Sequence, residues 1–184
     1  MTNFEAFFGF TGTPFSRDIA VEELLETESR KELHGRLNYV AHTRAFGVFT
    51  GDAGTGKTTA IRRFCQGLDL NRYRVLYISD SALTPRNFYW ETLHQLGCEP
   101  KFYRGDAKRQ LQKALSNLTD NEKKTPIIVV DESHLLSREM LEEIRFLLNL
   151  KMDSYSALSL ILTGQSELKE MLKLQINEAI WQRV

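Results

Sequence analysis

The sequence predicts a three-layer α/β fold, with helices on both faces of a parallel sheet, and three observations carry that prediction. Four short β-rich runs alternate with amphipathic stretches in the order β-α-β-α-α-β-α-β-α. Two of these runs, "TPIIVVDE" (125–132) and "ALSLILTG" (157–164), are almost continuously apolar, as strands covered on both faces must be. A glycine-rich turn joins the first run to the first helix that follows it. Strands that alternate with helices pair in parallel through crossovers of one hand, which yields a sheet between two helical layers.

The elements follow in order. "MTNFEAFFGF" is too short for a membrane span and lacks the basic start and cleavage site of a signal peptide, so an aromatic arm packed on the body is expected. Residues 20–44 read as one or two helices, making 1–44 an arm with helices that packs on a core over 45–184. "AFGVFTG" (45–51) is the first strand, followed by a helix over 57–66 with Gly67 as its C-terminal cap. "YRVLYIS" (73–79) is the second strand, and a helix over 86–96 starts behind Pro85. Leu111, Leu115 and Leu118 repeat at helical spacing within 106–119. Between the last two strands Ser137 caps a helix over 138–150, with a stripe of Met140, Leu141, Ile144, Leu147 and Leu148.

Composition narrows the functional classes. The 184 residues suffice for one domain with a real core, and 42% hydrophobic with 26% charged residues is the balance of a soluble protein. Lys+Arg and Asp+Glu both number 24, so no global basic field advertises nucleic acid, and any DNA contact must come from a local patch. Cys65 and Cys98 have neither metal nor redox spacing and are expected as buried free thiols of a reducing cytoplasm. No further long apolar run, repeat or flexible linker is present, so a cytoplasmic protein without membrane contact is expected.

The chemistry begins at "GDAGTGKTT" (51–59), which fits G-x-x-x-x-G-K-[ST] with Gly51, Gly56, Lys57 and Thr58 in register. Across Gly51, Asp52, Ala53, Gly54, Thr55 and Gly56 the backbone can curl so that successive N–H groups face phosphate oxygens. The helix after the loop adds its positive end, and Thr59 in its first turn is counted with the phosphate-binding residues, the alternative being an ordinary first-turn residue. Lys57 can reach the β- and γ-phosphates of a nucleotide, and the Thr58 hydroxyl can ligate Mg²⁺. "IIVVDESHLL" (127–136) then puts two carboxylates where a buried strand emerges, the end of an open α/β sheet at which ligands gather. Asp131 suits Mg²⁺, and Glu132 suits orienting and deprotonating an attacking water. His134 either senses the γ-phosphate or packs under the helix at 138–150.

"GDAGTGKTT", "VVDESHLL" and "LILTGQSELKEML" come in the order and spacing of AAA+ ATPases, and the chain resembles the ExeA-type family that includes the TnsC-type regulators of DNA transposition. The opening "FFGFTGTPFS", the stretch "ELHGRLNYVAHTRAFGVFTG" and the closing "AIWQRV" match that family too. Ser133 stands where the family more often has alanine, and Ser166 where it often has proline. The resemblance implies a P-loop NTPase (AAA+) core that uses ATP and Mg²⁺, with Thr163 or Gln165 as the first sensor of the γ-phosphate. Adenine recognition is expected near Phe15, Ile19 and Ala20. It also implies a small helical lid for which no sequence remains, so a fragment is expected.

In such assemblies an arginine at the end of the core reaches the neighbour's γ-phosphate, and Arg183 in "WQRV" matches that position. Trp181 packs either at the same seam or within its own core. "KFYRGDAKRQLQK" (101–113) concentrates Lys101, Arg104, Lys108, Arg109 and Lys113, which repeated around a homo-oligomeric ring or filament could track duplex DNA. The leading expectation is an ATP-dependent oligomeric regulator that binds DNA and recruits or activates a transposase or target-selection protein, with hydrolysis driving disassembly. The alternatives are an ExeA-type secretion or cell-envelope ATPase and a nucleotide-switch scaffold.

Overall fold

Strands β1 (Phe46–Thr50), β2 (Tyr73–Ile78), β3 (Thr125–Val130) and β4 (Ser159–Gly164) form one parallel sheet in the spatial order β1-β4-β3-β2. The computed structural model describes residues 3–10, 25–80, 82–148 and 156–184. The two almost wholly apolar runs lie in the middle of the sheet. Every residue of β4 is buried, as is every residue of β3 after Thr125, whereas β1 and β2 at the edges leave some residues half open. Composition thus reported position in the sheet, because only a central strand is covered on both faces and along both sides.

The helices are α1 (Asn3–Phe8), α2 (Glu28–Thr43), α3 (Lys57–Gly67), α4 (Pro85–Gln95), α5 (Arg104–Asp120), α6 (Arg138–Leu148), α7 (Ser166–Lys173) and α8 (Glu178–Trp181). Successive strand residues point to opposite faces and feed two separate cores. Leu76, Ile78, Ile128, Val130, Leu160 and Leu162 pack with α4 to α8. Ile127, Val129 and Ile161 pack with Leu37 and Val40 of α2 and with Ile61 and Phe64 of α3. Trp181 is half-buried against the first of these cores.

Local signals set the helix starts. Thr27 accepts a hydrogen bond from the Arg30 N–H at 3.3 Å, Thr84 from Asn87 with Pro85 at the first helical position, and Ser137 from Met140 at 3.2 Å. Gly67 is different from expectation. It ends α3 as a helical residue, and Leu68 then turns the chain to an extended conformation without a left-handed cap. Phe4, Phe8 and Phe10 of the aromatic arm are exposed and pack their rings on one another, with centroids 4.9 to 6.0 Å apart. Cys65 and Cys98 are free and half-buried rather than buried, and burial pushes the Cys65 thiol up to about 11. Among the described residues no helix is long and apolar enough to cross a membrane.

Candidate functional site

The register of the sheet brings three loops together. Thr50 lies beside Gly164, and Val130 beside Leu162, so the chain leaves β1, β3 and β4 at one edge. The loop 51–56, the pair Asp131 and Glu132, and Gln165 at the start of α7 all emerge there. A cavity of about 350 Å³ opens between them, lined by Gly54, Gly56, Lys57, Thr58, Glu132 and Gln165 among others.

The loop is shaped for a polyanion. Gly54 and Gly56 hold φ of 79° and 84°, a left-handed conformation that any side chain would strain, and a Cβ on Gly51 would lie 3.2 Å from Thr55 Oγ1. Lys57 folds back over the loop, donating to the carbonyls of Gly51 at 2.7 Å and Asp52 at 2.9 Å. The N-terminus of α3 follows directly, with Thr58 and Thr59 in its first turn. Arg30 of α2 also closes on the loop, since a Cβ on Gly56 would come within 3.4 Å of its guanidinium. No sequence signal marks Arg30, because helix and loop meet only in the folded chain.

Asp131 is the centre of the site. It is buried, and burial alone opposes its charge, but four donors outweigh that and hold its carboxyl below the usual carboxylate range. Thr163 donates to Oδ1 in a short hydrogen bond, and the Glu132 N–H donates to the same oxygen at 2.9 Å. Oδ2 accepts from Tyr77 at 2.8 Å and from Thr58 at 2.9 Å. All four donors are neutral, so the charge is stabilised without being cancelled.

Glu132 stands in the left-handed region at φ 51° and ψ 32°. A non-glycine residue there costs about 1–3 kcal/mol and persists only where its surroundings fix it. The strained turn aims the half-exposed carboxylate into the cavity. His134 sits behind it, its Nδ1 3.5 Å from Glu132 Oε2 and accepting the Gln165 N–H at 3.4 Å. The imidazole therefore packs between the acidic turn and the loop after β4. Of the two sensor candidates, Thr163 is wholly buried on Asp131, whereas Gln165 is half-buried and lines the cavity.

Donor chemistry fits Mg²⁺ with a nucleotide. Thr58 and Asp131 offer hard oxygen ligands, and no group of three or more His, Cys, Asp or Glu gathers among the described residues. A site of one carboxylate and one hydroxyl suits an ion that takes its remaining oxygens from phosphates and water. Residues 11–20, with Phe15, Ile19 and Ala20, lie outside the described residues.

The basic stretch has a different environment. Arg104 pairs with Glu139 and with buried Glu143, and Lys108 reaches Glu143 at 3.0 Å. Arg109 pairs with Asp106 on the surface, while Lys101 is exposed. Two of the four candidate DNA contacts thus pair with a buried acid of α6 and join α5 to α6. At the far end of the chain the Arg183 guanidinium donates to the Leu148 carbonyl at 3.1 Å.

Comparison with known proteins adds a family context. Residues 40–172 match the model of a family described as the AAA domain. The chain is 31% identical to the General secretion pathway protein A of Aeromonas hydrophila over 97% of its own length, and it spans about a third (33%) of that relative. Its fold resembles Cdc6p from Pyrobaculum aerophilum, with a TM-score of 0.70 at 16% identity, over 92% of this chain and 47% of that one. It also resembles the Aeropyrum pernix ORC1 protein in complex with DNA, with a TM-score of 0.65 at 18% identity, over 87% and 44% of the two chains. A Walker-type ATPase of Pyrococcus abyssi superposes with a TM-score of 0.58 at 18% identity, over 89% and 52%.

Proposed function

The chain belongs to the AAA domain family, and from that premise we propose that it is the ATP-hydrolysing core of an oligomeric AAA+ machine that acts in secretion or the cell envelope. The observation that carries the catalytic part is the convergence of Lys57, Thr58, Glu132 and Gln165 on one cavity, with Asp131 hydrogen-bonded to Thr58 behind it. The loop N–H groups and Lys57 bind the phosphates, and Thr58 with Asp131 holds Mg²⁺, which when bound neutralises charge on the phosphate oxygens. Glu132, fixed by its strained turn and by His134, accepts the proton of the attacking water at its carboxylate. Gln165 reads the γ-phosphate from the cavity wall, and Thr163 acts through Asp131. Arg183 is the residue offered to a neighbouring subunit, after release from the Leu148 carbonyl.

The cellular setting rests on the secretion relative, which is 31% identical across nearly the whole chain. This reverses the order of the sequence reading, in which transposition came first. Regulation of a transposase draws no comparable support, and Arg104 and Lys108 have their charge engaged by Glu143. The DNA-bound structural neighbour is 18% identical and supports the fold. A pure nucleotide switch has no need of a carboxylate held in strain at the phosphate loop.

The test is ATP hydrolysis by the purified chain across a range of protein concentrations. Glu132→Gln is expected to lower turnover by about a hundredfold or more while ATP still binds, the usual weight of a general base. Activity per chain is expected to rise with concentration, as a group supplied in trans requires. Duplex DNA is expected to leave the rate unchanged. Undiminished turnover in Glu132→Gln would sink the hydrolytic reading, and salt-sensitive stimulation by DNA would restore transposition to first place.

A further inference from the structure

Asp131 has acceptor capacity for about four hydrogen bonds, two at each oxygen, and all four are taken. Thr163 and the Glu132 N–H occupy Oδ1, and Tyr77 and Thr58 occupy Oδ2. These donors are not equivalent. Thr58 is itself a candidate ligand for the cation, and its oxygen can offer a lone pair to the ion while its O–H still donates to Asp131. Of the two donors on Oδ2, Tyr77 alone is no candidate ligand, so it can fix the orientation of that oxygen whatever the ion demands of Thr58.

The fold immobilises Tyr77 for such a task. It lies on β2, which among the described residues is an edge strand with no strand on its outer side. There the side-chain amide of Gln95 takes the place of a strand, accepting the Tyr77 N–H at 2.9 Å and donating to the Tyr77 carbonyl at 2.7 Å. Gln95 is the last residue of α4, and Arg74 on the same strand donates to its carbonyl. The ring packs against the core that α3 shares with the sheet. Backbone, ring and hydroxyl are therefore all held, and the end of α4 is tied to the cation-binding carboxylate through one phenol.

We infer that Tyr77 is a positioning residue for the metal site, holding the Asp131 carboxylate in the orientation that a Mg²⁺ site with Thr58 would need. The inference rests on the reading of this site as a Mg²⁺–nucleotide site. It extends that reading to a residue with no motif of its own, 54 positions from the carboxylate it serves.

The experiment measures nucleotide affinity at equilibrium, with and without chelator, as Mg²⁺ is titrated. Tyr77→Phe keeps the ring and removes the hydroxyl. It is expected to raise the Mg²⁺ concentration for half-maximal tight binding about tenfold, the lower end of what loss of an outer partner costs a metal site. Its affinity for metal-free nucleotide is expected to stay that of the wild type. Tyr73→Phe, which removes a phenol from the same face of β2, is expected to leave both unchanged. A purely structural role would weaken both affinities together, and an unaltered Mg²⁺ midpoint would equally overturn the inference. If Tyr77→Phe does not fold, Tyr77→His, which keeps a ring N–H donor, must bind Mg²⁺ with a midpoint closer to wild type than Tyr77→Leu does, or the inference fails. A wild-type chain whose nucleotide binding ignores Mg²⁺ would refute the site reading itself, a result distinct from any of these.

Discussion

Asp131 and Glu143 are both buried acids that the fold keeps ionised, and they differ in what surrounds them. Asp131 is ringed by three hydroxyls and a backbone N–H, none of them charged. Glu143, in the middle of α6, takes a short hydrogen bond from the Tyr89 phenol and ion pairs from Arg104 and Lys108. Neutral donors stabilise a carboxylate while leaving its field intact, so a cation brought to Asp131 still meets a full negative charge. Cationic partners cancel the field, which makes Glu143 a strut between α4, α5 and α6 rather than a receptor. One residue chemistry is suited to receive a cation in one place and serves as a fastening in the other, and the difference lies in the charge of the donors.

The strongest way to break this contrast is to remove the charge at Asp131 while keeping its shape. Asp131→Asn is expected to abolish the dependence of nucleotide binding on Mg²⁺ and to cut ATP turnover by a hundredfold or more, about 3 kcal/mol at 1.36 kcal/mol per tenfold change. Chelator titration and steady-state turnover measure both. The folded state should survive, since the three hydroxyls can rotate to accept from the amide. Normal Mg²⁺ dependence in this variant would show that the ring of neutral donors serves packing alone.

The two centres also differ in how far the chain announces them. The phosphate loop and "VVDE" are contiguous, so each motif carries its spacing in the sequence, and the apolar strand before each one predicts its place at the sheet edge. Thr163 and Gln165 could not be separated in the sequence, because both follow the same apolar run. Burial separates them, with Thr163 turned onto Asp131 and Gln165 on the cavity wall. Tyr77 and Glu143 left no trace, since each acts on partners 35 to 54 positions away. The surroundings of the cationic stretch at 101–113 were not legible either. Its charges suggested a free surface, but the acids opposing Arg104 and Lys108 sit on α6, where the sequence shows only an amphipathic stripe.

A smaller effect is expected at the strut. Glu143→Gln keeps a partner for Tyr89 but gives up both ion pairs, and it should lower the stability of the folded chain by about 1–2 kcal/mol in denaturant melts. That is well below the cost of stranding a buried charge, because the residues left behind, Arg104 and Lys108, are partly exposed and can turn to water. Nucleotide affinity and its Mg²⁺ dependence should stay those of the wild type. Loss of Mg²⁺ dependence in Glu143→Gln would erase the distinction between the two carboxylates.

Acid provides the subtlest test. Burial works against the charge of Glu143, yet Tyr89, Arg104 and Lys108 together hold its carboxyl below the usual range. A group depressed in this way contributes stability that is present above its unfolded value, about 4.3 for glutamate, and is lost as pH falls through the lower folded value. The stability gap between wild type and Glu143→Gln should therefore stay constant from pH 8 to about pH 5 and close below about pH 4. The Tyr89 phenol, whose own ionisation burial and Glu143 push upward, remains a donor throughout that window. A gap that persisted in strong acid would mean that the contribution of Glu143 survives protonation. The three helices would then be fastened by its hydrogen bond to Tyr89 and by packing, and the two cations would be neighbours of the strut rather than part of it.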